Sequence, residues 1–120
     1  GVAVGGAVTY AELAARVGRL AAALEATCLL SPSQRLVATI LDRGVEMVVA
    51  LLGTLTAGGA YLPMEPDFPA ARVREIAEEA TPALALVQTE EMAALFSPPD
   101  GDHPAPHPVF LVDAFGRLSP

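Results

Sequence analysis

The sequence predicts an α/β fold, an open, mostly parallel sheet with helices on both faces. Three observations lead there. Short, nearly continuous apolar runs at 36–41 (LVATIL), 84–88 (LALVQ) and 109–113 (VFLVD) have the composition of strands covered on both sides. Stretches with helical apolar spacing separate the first two and precede both. Strands alternating with helices pair in parallel through right-handed crossovers.

Taken in order, residues 1–10 read as a small hairpin, with Gly5-Gly6 suited to the turn. Thr9 then starts a helix. Thr9 and Glu12 have the spacing of a capping box, and Val8 and Leu13 that of a hydrophobic staple. Leu13, Val17, Leu20 and Leu24 form the apolar face, while Glu12, Arg16 and Arg19 share the opposite one and read as solvated. Residues 27–34 form a loop around Ser31-Pro32-Ser33, followed by the first buried strand. Asp42-Arg43-Gly44 turns the chain into a helix over 45–57 that is apolar nearly all round. Such a helix is expected to be buried on more than one side.

Gly58 suits the left-handed residue that stops that helix, and residues 60–64 continue as an interior strand. Glu65-Pro66-Asp67-Phe68-Pro69 leads into a third helix, with Pro69 at its first position, where a missing N–H costs nothing. Val73, Ile76, Ala77 and Ala80 give its apolar stripe, and Pro82 follows its end. After the strand at 84–88, residues 90–96 form a short helix with acidic residues in its first turn. Residues 97–108 contain five prolines and no apolar period, so they read as a loop. Four or five strands and four helices make an incomplete portion of a larger sheet, since an exposed edge needs cover.

Composition narrows the function. With 120 residues, 52% of them hydrophobic, the chain suits one globular unit over 1–120, with an α/β core at 1–96, the proline-rich loop at 97–108, and a last strand and tail at 109–120. A formal net charge of −7 opposes nucleic acid as a partner. No lysine is present, which excludes Schiff-base chemistry within the chain. The lone Cys28 excludes an internal disulfide and fits a reducing, cytoplasmic setting, and no secretory signal is read at the start. Residues 47–64 are eighteen in a row without charge, the lower limit for a membrane span. Gly58, Gly59 and Pro63 interrupt them, so no membrane association is expected.

Four constellations invite a chemical reading. Gly53 to Gly59 has the glycine spacing of a phosphate loop, but Gly59 and Ala60 stand where lysine and Ser or Thr belong, and the run ends a helix instead of opening one. His103 and His107 have the spacing of a metal pair near Asp100 and Asp102, yet a zinc site wants three or four ligands on defined structure. Glu65 and Asp67 sit at a strand's carboxyl end, where open sheets place ligands, and read as a cap and turn pair for the next helix. Cys28, Ser31 and Ser33 have no neighbouring histidine. None assembles a catalytic, cofactor or metal site.

Two motifs carry a resemblance. Val8-Thr9-Tyr10-Ala11-Glu12-Leu13 resembles the first core motif, L-T-Y-x-E-L, of the adenylation domains of nonribosomal peptide synthetases. Residues 55–66, LTAGGAYLPMEP, are similar to the second, L-K-A-G-x-A-Y-x-P-L-D-P, and Phe68-Pro69-Ala70-Ala71-Arg72 continues in that family's manner. Thr56, Met64 and Glu65 depart from it, as does the stretch 27–30 where a glycine-rich turn is usual. The resemblance covers essentially all 120 residues. It implies an incomplete portion of the large N-terminal subdomain of an adenylate-forming enzyme.

In the complete family enzyme, ATP and Mg would join an amino acid to AMP before transfer to a carrier protein. The phosphate-binding loop, amino-acid pocket, ribose-binding aspartate and mobile-subdomain lysine have no counterpart among these residues. The resemblance thus implies a piece that binds no cofactor and is inactive alone, with condensation, carrier and remaining adenylation segments as partners. The alternative is a vestigial adenylation domain kept as a structural or docking element.

Overall fold

Apolar runs and helix stops divide the chain into β1 (Ala3–Val4), β2 (Val8–Thr9), α1 (Tyr10–Thr27), β3 (Leu36–Ile40), α2 (Val45–Thr56), β4 (Ala60–Met64), α3 (Ala70–Ala80), β5 (Leu84–Val87), α4 (Glu90–Ala94), β6 (Val109–Val112) and β7 (Leu118–Ser119). These come from a computed structural model, which describes residues 3–4, 8–98 and 105–120. β1 and β2 pair antiparallel, as the hairpin reading expects; its Gly5-Gly6 turn lies outside the described residues. The main sheet runs β4-β3-β5-β6-β7, parallel except for the last pair. The predicted open, mostly parallel architecture is therefore present. β7 is an addition, because the residues after 113 were expected to be a tail.

Successive strand residues point to opposite faces, so a strand covered on both sides has no polar position to spare. Val37, Leu84, Leu86 and Val112 pack with Leu20 and Leu24 of α1 and Val49 and Ala50 of α2. Ala38, Ile40, Ala85 and Val87 pack instead with Val73 and Ala77 of α3 and Met92 and Phe96 at α4. The continuous runs in β3 and β5 thus report two cores, one on each face.

α1 starts where its capping residues predict. The Thr9 hydroxyl accepts from the Glu12 N–H at 3.1 Å, and Val8 is buried beside this start. The helix stops at Cys28, which takes a left-handed φ of 58°. Its polar face is not simply solvated. Arg16 Nη1 donates to the Ala114 carbonyl at 3.1 Å and Arg19 Nη1 to the Phe115 carbonyl at 2.7 Å. The guanidinium groups of Arg16 and Arg117 lie 4.7 and 5.5 Å from the Phe115 ring centre. Among the described residues the single ion pair is Arg72 with Glu75, at 4.0 Å, so Arg16 turns to the carbonyl and ring instead of to Glu12.

Of two expectations about the middle of the chain, burial of α2 on more than one side holds, with a third side left open, and the interior place of β4 needs correction. α2 buries Val49, Ala50, Gly53 and Thr54, but Val48, Leu52 and Leu55 remain 37%, 42% and 52% exposed. α1 and the sheet cover two sides of α2, and nothing among the described residues covers this third one. β4 is an edge strand, not an interior one, because the chain crosses back through α3 to place β5 on the other side of β3. Pro63 suits that edge. Ala60 N–H points inward to the Arg35 carbonyl, so by strand alternation residues 61 and 63 point outward, where proline forfeits no ladder bond.

Candidate functional site

In doubly wound sheets the ligand crevice opens at the carboxyl ends of neighbouring strands whose following helices go to opposite faces. Here those strands are β3, which leads into α2, and β5, which leads into α4. Residues 41–44 and 88–89 form the two loops. The Gln88 side-chain carbonyl accepts from the Asp42 N–H, joining the loops across the crevice. Arg43, exposed, is the only cation in either loop.

Helix N-termini are the usual anion sites because their free N–H groups and dipole favour negative charge. Both helices at this crevice already supply their own. Glu46 lies in the first turn of α2, and Glu90 and Glu91 in that of α4, whose start is also capped by the Thr89 hydroxyl at 3.1 Å from Met92 N. A triphosphate placed here would meet carboxylates and one arginine. That balance of charge does not suit the phosphates of ATP.

Glu65 and Asp67, at the end of β4, are exposed. Their turn forms, with Phe68 N–H donating to the Glu65 carbonyl at 3.1 Å. The cap does not. Pro69 occupies the N-cap position, one residue before the expected helix start, and offers no side-chain acceptor; its carbonyl receives Arg72 N–H at 2.9 Å and Val73 N–H at 3.1 Å.

The glycine spacing of Gly53 to Gly59 has a packing origin. A Cβ on Gly53 would come within 2.8 Å of Leu20 Cδ2, so this glycine lets α1 and α2 approach closely. Gly58 has φ +86° at the helix stop, and a Cβ on Gly59 would lie 3.0 Å from Thr54 Cγ2 and 3.2 Å from the Arg35 carbonyl. Cys28 is exposed, and the Ser31 and Ser33 hydroxyls lie 3.3 Å apart and engage each other.

Of the suspected metal cluster, Asp100, Asp102 and His103 lie outside the described residues. His107 is 8% exposed, and its ring meets Phe96 edge-on at 5.1 Å and 83°. Among the described residues its buried Nε2 has no hydrogen-bond partner, and Nδ1 lies 3.4 Å from the Pro108 carbonyl. Burial pushes its pKa below the ordinary 6.5, while the Pro108 carbonyl works in the opposite direction. Among the described residues no three His, Cys, Asp or Glu side chains form a group able to hold a metal ion. No described helix is long and apolar enough to cross a membrane.

The packing of His107 and the bridging role of Gln88 escape a reading of the sequence. Gln88 appears there only as the polar end of an apolar run. Its partner is 46 positions away.

Residues 2–118 match the family described as AMP-binding enzyme. Tyrocidine synthase 3 of Brevibacillus parabrevis is 41% identical over 88 residues, which are 73% of this chain and 1% of that protein. A dimodular nonribosomal peptide synthase of Bacillus subtilis (strain 168) is 42% identical over 92 residues, 77% of this chain and 4% of that one. Among solved structures, the nonribosomal peptide synthetase FmoA3 superposes with TM-score 0.73 at 33% identity, covering 92% of this chain and 11% of FmoA3. MatB from Rhodopseudomonas palustris gives 0.69 at 27% identity, covering 93% of this chain and 21% of MatB. Related crystals of FmoA3 hold AMPPNP or α-methyl-L-serine-AMP, and one of MatB holds ATP.

Proposed function

Because the chain belongs to the AMP-binding enzyme family, as the N-terminal part of a nonribosomal peptide synthetase adenylation domain, we propose that it supplies scaffold and no catalytic group to that domain's reaction. The reaction is ATP-dependent adenylation of an amino acid and its loading onto a carrier protein. Enzymes of this family use ATP and Mg. They hold a carboxylate in line with the α-phosphate and stabilise the charge that develops there.

One observation carries the reading. At the crevice where an open sheet of this kind would hold a ligand, Gln88 joins Asp42 across the gap, and Glu46, Glu90 and Glu91 occupy the helix starts. The contribution of these residues is positional. β5 and all of β3 after Leu36 are buried, α1 and α2 are locked through Leu20 and Gly53, and the loops above them are tied together.

The test is ATP–pyrophosphate exchange by the isolated chain with each proteinogenic amino acid, alongside calorimetric titration with ATP and Mg. The expected results are no exchange and no heat of binding. Exchange above background with any amino acid would overturn the proposal.

A further inference from the structure

We draw no further inference here: the strongest candidate, the uncharged outer face of α2 formed by Val48, Leu52 and Leu55, carries none because nothing in the structure shows what covers it.

Discussion

Gly116 rests against the carbonyl oxygen of Arg16, so closely that a Cβ built on it would overlap that atom. The same glycine has φ +83°, which L side chains rarely adopt. Around it, Asp113 Oδ1 accepts from Phe115 N–H at 2.8 Å and Arg117 N–H at 3.0 Å, shaping a turn that Arg16 and Arg19 hold to α1. Gly116→Ala would add backbone strain and force the turn off the helix, at a combined cost of about 2–4 kcal/mol. Urea unfolding of the two chains measures it. A cost under about 0.5 kcal/mol, the range of ordinary surface changes, would mean the contact is not held in solution.

The pairing of Gly53 with Leu20 gives a second expectation. Gly53→Ala gains roughly 1 kcal/mol of helix propensity, but overpacking a fully buried neighbour costs about 1–3 kcal/mol, so the net change runs from about zero to about 2 kcal/mol of destabilisation. Leu20→Ala alone leaves a cavity and costs about 2–5 kcal/mol. In the double variant the new methyl occupies part of that cavity, so the combined loss falls short of the sum by more than about 0.5 kcal/mol. Additive losses in the double-mutant cycle would refute the close packing. The result also separates packing from phosphate binding, because only the former couples Gly53 to Leu20.

What could be read from sequence depended on how local each cause is. β3 and β5 were legible because a strand buried on both faces announces itself in four or five residues, and α1 because its cap lies within three residues of its start. The edge position of β4 was not legible. It follows from the direction in which α3 crosses the sheet, which the residues 60–64 do not encode. The arginines of α1 looked solvated because their partners, Ala114 and Phe115, come 98 and 96 positions later. β7 was missed for a related reason, since its two residues have no strand pattern apart from their pairing with β6. At the candidate site, the acidic helix starts could be read from neighbouring residues, whereas the Gln88 bridge required the fold.

Two helices end on residues poorly suited to their backbone. Cys28 stops α1 at φ +58° and Thr81 stops α3 at φ +45°, where glycine is the unstrained choice. Thr81 is the more strained because its Cβ is branched. Thr81→Gly is expected to raise stability by about 0.5–1 kcal/mol after allowing for the larger unfolded-state entropy of glycine. Cys28→Gly should follow in the same direction. The Gln34 side chain donates to the Thr81 backbone carbonyl at 2.8 Å, a bond that the substitution keeps. Chemical denaturation of each variant decides the matter, and a loss of stability in both would contradict the assigned backbone.

His107 makes stability depend on pH in a direction its environment determines. In the folded chain, burial holds its pKa below the 6.5 expected of the unfolded chain, and among the described residues Nε2 has no acceptor for an added proton. Well above pH 6.5, near pH 8, neither state holds the proton appreciably, so this residue contributes almost no slope there. As pH falls below 6.5, the unfolded chain binds the proton first and the folded state loses stability, until the pH passes the lowered folded pKa and the loss levels off. Glu90 and Glu78 each line a depression that His107 also lines, and desolvation outweighs the opposing contribution from the Pro108 carbonyl. His107→Phe retains an aromatic edge against Phe96 and removes the titration. The difference in unfolding free energy, wild type minus variant, should therefore be nearly flat around pH 8, begin to fall as pH approaches 6.5, and fall more steeply below it. Carboxylates common to both chains largely cancel in that difference. A difference that stayed level to pH 5, or rose, would show that the imidazole is not buried in its neutral form.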